Sequence, residues 1–315
     1  MRLAVLDDYE DAALNLADWG SLRGALEIDV YRDHLPESDG LAARLLPYDI
    51  LIIMRERTPF PRSLIERLPN LRLLVTTSAK NRSIDLTACR DKGIAVCGTE
   101  SSKDAAVELT WGLILSSLRR IPQHDRAVRN GMWGDGIGSG IDGKVLGVLG
   151  LGKKGKRVAQ VGLAFGMKVV AWSQHLKAED AAAVGVVRVE KDELFKTADI
   201  ITIHLVLGDR TSGLVGADEI GLMKPSSYLI NTSRGPIVQE KALIAALKEN
   251  RIAGAGLDVF ETEPLPRGHP LLSLSNVVLT PHVGYVTQES FRTYFTQAKE
   301  DVEAWLAGEP IRVLR

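Results

Sequence analysis

The sequence has few cysteines, no long hydrophobic run and almost no net charge. Its 315 residues include two cysteines, Cys89 and Cys97, which cannot form a disulfide framework and lack the spacing of zinc ligands. No stretch of about 18 uninterrupted apolar residues occurs, so we expect no helix that spans a membrane. The 39 basic and 40 acidic residues give a net charge of −1. This balance gives no electrostatic reason to expect nucleic acid or an anionic membrane as a partner.

The beginning of the chain and its cysteines indicate a cytoplasmic protein. Met1–Asp7 is too short, and too acidic at its end, for a signal peptide. The two thiols are typical of semi-buried cysteines in a reducing compartment. We therefore expect a soluble cytoplasmic protein without a bound metal.

Short apolar runs alternate with helical patterns along the chain. Runs this apolar are expected of parallel strands covered on both faces, and their alternation with helices predicts an α/β fold. A chain of this length can form two compact domains with separate cores. The predicted buried strands are Leu3–Asp7, Asp49–Met54, Leu71–Thr76, Lys144–Gly150, Lys168–Ser173, Asp199–His204, Ser227–Asn231, Ile252–Asp258 and Val277–Thr280.

One predicted helix is apolar nearly all round. The segment Lys103–Leu118 has charged residues only in its first half, and Ser101 and Ser102 are plausible N-caps. We expect such a helix to be buried, either between domains or between subunits. The glycine-rich segment Gly131–Gly143 predicts a loop that leads into the next strand.

A glycine-rich turn follows one of the predicted strands and opens a predicted helix. In a dinucleotide-binding unit, the first glycine makes the turn and the second lets the backbone approach a pyrophosphate. The third allows close helix–strand packing, and the helix N-terminus offers N–H groups to the phosphates. The flanking strand and helix are the context that makes this motif specific, so we predict a dinucleotide cofactor. The turn consists of Gly150, Leu151, Gly152, Lys153, Lys154 and Gly155.

The end of the following strand bears on the choice of cofactor. An Asp or Glu there bonds the 2′-hydroxyl of the adenine ribose and favours NAD. This chain has Ser173, followed by Gln174 and His175, so no acid repels a 2′-phosphate, and His175 or Lys177 could attract one. No arginine clamp for such a phosphate is visible. We therefore expect NAD, while NADP stays open.

Five motifs follow one another between Val107 and Gly284, within a resemblance that covers nearly the whole chain. They are Val107-Glu108-Leu109-Thr110, the glycine turn, Asn231-Thr232-Ser233-Arg234-Gly235, the run from Gly256 to Pro264, and Thr280-Pro281-His282-Val283-Gly284. Together they resemble the D-isomer-specific 2-hydroxyacid dehydrogenases, a family that includes phosphoglycerate, glyoxylate/hydroxypyruvate and D-lactate dehydrogenases. We expect two Rossmann-like, doubly wound parallel-sheet domains. The NAD(P)-binding domain, residues 99–283, is expected to be inserted into a smaller flavodoxin-like substrate domain, residues 1–98 and 284–315.

The resemblance assigns catalysis to three residues. Arg234 is expected to hold the 2-oxo acid, because a guanidinium suits a carboxylate and a polarisable carbonyl. His282 is expected to give or take the proton at the carbonyl oxygen, as histidine can near neutral pH. Glu263 is expected to orient this imidazole and favour its protonated form. The resemblance thus implies hydride transfer between NAD(P)H and a 2-oxo acid or D-2-hydroxy acid.

The resemblance also implies further cofactor contacts. Asp258 is expected to meet the nicotinamide carboxamide, and Thr110 to lie near the nicotinamide. The backbone around Leu205 and Thr232 is expected to line the cofactor. His204 ends a strand at a position where the family often has a histidine that lines the cofactor cleft. The other expected contacts are the glycine turn, Ser173, Gln174, Ser233, Arg234, His282 and Gly284.

The expected substrate loop departs from the family pattern. That pattern resembles Gly-x-Gly-x-Asp-x-Ile-Asp, whose backbone N–H groups hold the substrate carboxylate, whereas this chain has Ser78, Ala79, Lys80 and Asn81 at its start. Lys80 and Asn81 either contact a substrate anion, or narrow the pocket, or face solvent from a shifted loop. Arg55 matches a position where the phosphoglycerate branch has a substrate-holding arginine, but it does not by itself establish a phosphorylated substrate.

The expected assembly also follows from the resemblance. Substrate is expected between the domains, which would close about crossings near Gly98 and His282–Tyr285. Thr287–Leu306 predicts a helix that returns to the first domain. We expect a homodimer formed through the helix Lys103–Leu118 and neighbouring segments. Two alternatives stay open: an NADH-sensing, corepressor-like binding protein, against which the absence of basic or disordered tails weighs, and a formate dehydrogenase relative, whose distinctive substrate loop is absent.

Overall fold

The computed structural model describes residues 1–22, 24–36, 38–100 and 104–315. The proposed N-caps Ser101 and Ser102, together with Lys103 at the predicted start of a helix, lie outside these ranges. Within them, no helix is both long and apolar enough to cross a membrane.

The described residues form twelve strands and twelve α-helices. The strands are β1 (Arg2–Val5), β2 (Glu27–Val30), β3 (Ile50–Ile53), β4 (Leu73–Thr76), β5 (Ala95–Gly98), β6 (Val145–Leu149), β7 (Lys168–Trp172), β8 (Val187–Arg188), β9 (Ile200–Ile203), β10 (Tyr228–Asn231), β11 (Gly254–Leu257) and β12 (Val277–Leu279). The helices are α1 (Ala13–Leu16), α2 (Asp39–Leu45), α3 (Arg62–Ile65), α4 (Leu86–Asp91), α5 (Ala105–Leu118), α6 (Ile121–Arg129), α7 (Lys153–Ala164), α8 (Ala178–Ala182), α9 (Lys191–Thr197), α10 (Ala217–Leu222), α11 (Glu240–Lys248) and α12 (Gln288–Leu306).

The first compact unit comprises Met1–Lys103 and Tyr285–Arg315. Its strands form one parallel sheet in the flavodoxin-like order β2-β1-β3-β4-β5. Alternate residues of β3 enter two different apolar clusters, one that includes α2 and one that includes α12. The sheet is therefore covered on both faces, and this explains why its central strand β3 is apolar at every position.

The second compact unit comprises Asp104–Gly284. Its seven strands are parallel and lie in the order β12-β11-β10-β9-β6-β7-β8. The chain begins this sheet at β6, adds β7 and β8 on one side, and then crosses to β9 on the other side. This is the doubly wound Rossmann arrangement, with its switch point beside β6. The predicted fold class of two parallel-sheet α/β units is confirmed.

The nine predicted strands are all present, with ends that differ from the prediction by one or two residues. Strands β2, β5 and β8 were not predicted. The predicted C-terminal helix is α12, and Thr287 is its N-cap, whose hydroxyl accepts from the Ser290 N–H at 3.2 Å. The predicted loop Gly131–Gly143 is confirmed, because these residues form neither helix nor strand.

Helix α5 is buried largely by its own unit. Leu113 and Ile114 belong to the apolar cluster that contains Leu146 of β6, and Trp111 packs on Phe165 with ring centroids 5.1 Å apart. The expectation that this helix must be buried between domains or between subunits was therefore wrong. Its apolar surround is needed to cover one face of its own sheet.

Candidate active site

Six neighbouring strands of the second unit end at one level. Their last residues are paired across the sheet in a single row: Leu279, Leu257, Asn231, Ile203, Leu149 and Trp172. The residues predicted from the motifs follow these strand ends. Because the strands are parallel, their following loops lie at the same edge, where open α/β sheets bind ligands.

The side chains of His282 and Glu263 are in close polar contact at this edge. Nδ1 of His282 lies 2.5 Å from Oε2 of Glu263, although the two residues follow different strands. The other carboxylate oxygen of Glu263 accepts from the Phe260 N–H at 2.9 Å. Both side chains remain partly exposed. The imidazole is thus held by a carboxylate that is itself anchored to backbone.

The turn that carries His282 is fixed by Asp258. This carboxylate is only 1% exposed. One oxygen accepts from the Thr280 hydroxyl at 2.6 Å and the Val283 N–H at 2.8 Å, and the other accepts from the Gly284 N–H at 2.9 Å. Burial raises the pKa of Asp258, and these hydrogen bonds oppose that rise. Asp258 therefore positions the His282 turn, and its expected contact with nicotinamide stays a prediction.

The turn that carries Arg234 is held by its own motif. The Asn231 side chain accepts from the Ser233 N–H and donates to the Arg234 carbonyl, both at 3.0 Å. The Ser233 hydroxyl donates to Ile203 at the end of β9, at 2.7 Å. A Cβ on Gly235 would lie 1.9 Å from the Phe260 carbonyl oxygen. Only glycine therefore lets this turn pack against the segment that leads to Glu263.

Thr110 of α5 and Thr232 after β10 meet at this edge. Their hydroxyl oxygens are 2.8 Å apart, and the Thr110 hydroxyl also contacts the Ala106 carbonyl at 2.7 Å. The two predicted cofactor residues are thus brought together. Thr110 is fully buried, and its contact with Thr232 helps to hold the turn that carries Arg234.

The glycine turn fits a dinucleotide pyrophosphate. A Cβ on Gly155 would lie 2.0 Å from the Gly150 carbonyl oxygen, so this glycine is required by the close packing of α7 on the turn. A Cβ on Gly152 would meet no atom within 4 Å. Protein packing does not explain Gly152, whereas a ligand approaching the backbone does. The exposed Lys153 and Lys154 follow at the N-terminus of α7, whose N–H groups suit a phosphate.

A cavity of about 400 Å³ lies beside this turn and is lined by residues that include Leu151, Gly152, Ser173, Gln174 and Leu205. The Ser173 hydroxyl accepts from the Leu151 N–H at 2.8 Å and so ties β7 to the glycine turn.

The cavity is also lined by an arginine that the sequence analysis does not identify. Arg210, in the loop after β9, lines the cavity, and its Nη1 donates to the Gln174 side-chain oxygen at 3.2 Å. Arg210 could not be identified from local sequence patterns, because 36 positions separate it from Gln174.

His204 lies at the end of β9 with a neutral side chain. Burial, assisted by the positive charge of Lys154, lowers the pKa of His204 to about 3. Its Nε2 lies 2.9 Å from the Thr202 hydroxyl. A group that stays neutral at physiological pH is poorly suited to donating a proton, so the acid–base role is not expected of His204.

Comparisons with known proteins agree with this geometry. Residues 111–284 match the family model described as D-isomer specific 2-hydroxyacid dehydrogenase, NAD binding domain. The chain belongs to the D-isomer-specific 2-hydroxyacid dehydrogenase family. It is 38% identical over 314 residues to D-3-phosphoglycerate dehydrogenase of Methanocaldococcus jannaschii, with 98% of this chain and 58% of that protein covered.

Two further relatives are matched over nearly their whole length. Hydroxypyruvate reductase of Blautia hydrogenotrophica is 31% identical over 330 residues, covering 100% of this chain and 99% of that one. The crystal structure of phosphoglycerate oxidoreductase from Vibrio cholerae O395 has a TM-score of 0.92 and 37% identity, covering 98% of this chain and 99% of that chain. The chain therefore spans little more than half of the Methanocaldococcus protein but nearly all of these two.

The loop after β4 is where this chain departs from the family pattern. The Asn81 amide donates to the Arg55 carbonyl at 2.6 Å and to the Thr76 hydroxyl at 2.9 Å, and its oxygen accepts from Ser83. The Ser78 hydroxyl donates to the Lys80 carbonyl at 2.9 Å. Ser78 and Asn81 are thus buried and engaged within the loop. The alternative that the Asn81 side chain faces solvent was therefore wrong, and its expected contact with a substrate anion stays a prediction.

The side chains of Ala79 and Lys80 are the exposed part of this loop. Lys80 therefore remains able to reach an anion.

Arg55, after β3, adopts a left-handed backbone with φ of 51°. This conformation costs a residue with a side chain about 1–3 kcal/mol. Two hydrogen bonds hold it: the Arg55 N–H donates to the Thr77 hydroxyl at 3.0 Å, and its carbonyl accepts from Asn81. The guanidinium lies over the Tyr285 ring, 4.9 Å from its centroid. The loop and the aromatic ring together therefore set the direction of this guanidinium.

Arg57 is engaged differently from Arg55. Its guanidinium pairs with Glu10 at 2.9 Å and donates to the Asp7 carbonyl at 2.6 Å. It also lies over the rings of Tyr9 and Tyr285, at 4.2 and 5.6 Å from their centroids. The charge of Arg57 is thus compensated by a carboxylate at hydrogen-bond distance. The acid nearest to Arg55 is Glu56, at 3.8 Å, so Arg55 is the better placed of the two for a substrate anion.

Proposed function

We propose that this chain transfers a hydride between NAD(P)H and a 2-oxo acid or D-2-hydroxy acid. The observation that carries the proposal is the contact of 2.5 Å between His282 and Glu263 at the carboxyl ends of the strands. Membership of the family and the glycine turn support the same reaction class. A bound nicotinamide would supply or accept the hydride.

His282 acts as the general acid–base in this proposal. An ionised carboxylate can only accept hydrogen bonds, so Nδ1 of His282 carries the proton that faces Glu263. Nε2 is then the atom that gives a proton to the substrate oxygen during reduction and takes it back during oxidation. Glu263 fixes the ring orientation and stabilises the imidazolium.

Arg234 binds the substrate in this proposal. Its guanidinium carries five N–H donors in a planar fork, which matches a carboxylate and an adjacent carbonyl oxygen. Nη1 donates to the Ser233 carbonyl at 2.7 Å, and this fixes the direction of the side chain. The positive charge also stabilises the negative charge that develops on the substrate oxygen when hydride reaches the carbonyl carbon.

We assign the remaining substrate contacts to the first unit. The loop Ser78–Asn81 contributes backbone N–H groups, and Arg55 contributes a cation whose backbone Asn81 holds in place. Lys80 is the loop side chain that remains exposed for an anionic substrate. An anionic group on the substrate fits this cation-bearing surface.

A homodimer is part of the same proposal. Trp133 and Ile137, in the loop between α6 and β6, are each 97% exposed, and Met132 and Val128 beside them are more than half exposed. Adjacent exposed apolar side chains of this kind mark a contact with another protein. The family resemblance makes a second copy of this chain the expected partner.

The proposed reaction is tested by following NADH and NADPH oxidation with a panel of 2-oxo acids. The panel includes glyoxylate, hydroxypyruvate, 3-phosphohydroxypyruvate, pyruvate and 2-oxoglutarate. We expect turnover with at least one of them and a product of D configuration. Binding of the dinucleotide without turnover of any 2-oxo acid would instead favour a nucleotide-sensing protein.

A further inference from the structure

The cavity beside Ser173 is bordered by two loops that are far apart in sequence. Ser173 and Gln174 follow β7, and Arg210 lies in the loop between β9 and α10. The Arg210 guanidinium donates to Gln174 at 3.2 Å, so the two loops meet at the edge of the cavity. Arg210 is exposed and uses one of its five donors in this contact. The rest of its fork stays available for a ligand.

The polar groups at this edge suit a phosphate better than a ribose hydroxyl pair. A 2′-hydroxyl is recognised by a carboxylate at the end of β7, and this position holds Ser173. The Ser173 oxygen already accepts from Leu151, so its hydroxyl proton is what it offers to a ligand. The Gln174 amide nitrogen and the Arg210 guanidinium are donors as well.

The charges that line the cavity support this assignment. Lys156 and Arg210 are positive, and Asp180 is the acidic side chain in the lining. The lysine, arginine and aspartate side chains of the lining together carry one net positive charge. The negative charge of Asp180 disfavours an anion. Arg210, however, contacts Gln174, which follows Ser173 at the end of β7, where a Rossmann domain recognises the adenine ribose.

We propose that Arg210, Gln174 and Ser173 form a subsite for the 2′-phosphate of NADP(H). The chain then binds NADPH more tightly than NADH, which reverses the preference expected from the sequence. This inference rests on the proposed function only in that the cavity receives the adenosine end of the cofactor. It does not depend on the identity of the 2-oxo acid or on the roles of His282 and Glu263.

The subsite is tested by calorimetric titration of the full chain with adenosine 2′,5′-bisphosphate and adenosine 5′-monophosphate. Neither ligand can be turned over, so the measurement is independent of catalysis. We expect the bisphosphate to bind at least about tenfold more tightly, and its affinity to fall steeply with added salt. Equal affinities, or failure of both ligands to bind, would overturn the subsite.

Substitutions of Arg210 test whether this residue causes the tighter binding of the bisphosphate. We expect Arg210→Ala to weaken the bisphosphate about 10- to 100-fold, the range for lost hydrogen bonds to a charged group, and to change the monophosphate less than about threefold. Arg210→Lys should recover part of this loss, because it keeps the charge without the fork. The matched control is Arg188→Ala, which removes a cation that pairs with Glu190 and does not line the cavity.

Two outcomes separate this inference from the proposed function. Equal loss of both nucleotides in Arg210→Ala would contradict the subsite and leave the reaction unaffected. A bisphosphate preference that depends on Arg210, in a chain that reduces no 2-oxo acid, would support the subsite and contradict the reaction.

Discussion

Nδ1 of His282 lies 2.5 Å from Oε2 of Glu263, and the two residues follow two adjacent strands of one sheet, β12 and β11. Each is fixed separately, His282 by the Asp258 hydrogen bonds to its turn and Glu263 by the Phe260 N–H. The contact is therefore built by the sheet rather than by one flexible loop.

Glu263→Gln should lower kcat about 10- to 100-fold. The amide keeps an acceptor for Nδ1 of His282 but loses the charge that stabilises the imidazolium, and a charge-assisted hydrogen bond contributes about 1.5–3 kcal/mol. Steady-state kinetics with the best 2-oxo acid measures the effect. Glu261→Gln in the same motif is the control, because that side chain is exposed. Equal rates for both variants would remove Glu263 from the mechanism.

Asn81→Ala should raise KM for the 2-oxo acid about 5- to 30-fold, with little change in the Kd of the cofactor. The variant removes the hydrogen bond to the Arg55 carbonyl and leaves the left-handed backbone of Arg55 less constrained. Loss of a buried partner of this kind costs about 1–2 kcal/mol.

Lys80→Ala distinguishes two roles for the substrate loop: direct contact of Lys80 with the substrate, and positioning of Arg55 by Asn81. If Lys80 contacts the substrate directly, this variant raises KM by itself. If Lys80→Ala has the larger effect and Asn81→Ala has none, the loop acts through its exposed cation and not by positioning Arg55.

Acid should destabilise the fold partly through His204. Its pKa is about 3 in the folded chain and about 6.5 when unfolded. The unfolded state therefore binds more protons between these values, and the free energy of unfolding falls as the pH drops from about 6.5 towards 3. Urea titrations at pH 7 and pH 4.5 should show a smaller loss in His204→Gln than in the unaltered chain. His175→Gln, an exposed histidine of the same unit, should leave the loss unchanged.

Trp133→Ser should weaken the proposed homodimer. The indole is 97% exposed, and burying it against a second copy would remove a large apolar surface from water. Sedimentation velocity over a range of concentrations should show dissociation of this variant at concentrations where the unaltered chain is dimeric. Val187→Ser, at an exposed apolar position of β8, is the control. A monomeric unaltered chain would contradict the proposal directly.

Eight of the nine predicted strands lie between two neighbours in their sheet, where apolar side chains are needed on both faces. The three strands that were not predicted all lie at sheet edges. β2 alternates charged and apolar residues, so it is not an apolar run, and β5 and β8 have only four and two residues. A search for long apolar runs misses short edge strands of this kind, which depend on pairing with one neighbour.

The candidate site divides in the same way. Arg234, Glu263 and His282 are predictable because their motifs follow strand ends, where parallel sheets place ligands. The inward turn of Asn81 depends on hydrogen bonds to Arg55 and Thr76 in other segments. The position of Arg210 likewise depends on the meeting of two loops. Neither feature could be predicted from the sequence without the three-dimensional fold.

Comparison of kcat between the unaltered chain and His282→Ala tests the proposed reaction most directly. With the best 2-oxo acid and saturating NAD(P)H, we predict a loss of about 10²- to 10⁴-fold, the usual contribution of a general acid–base. His269→Ala is the matched control, since His269 also pairs with a glutamate, Glu240, at 3.1 Å, and it should stay within a few-fold of the unaltered chain. Undiminished turnover in His282→Ala would contradict the assignment of the active site.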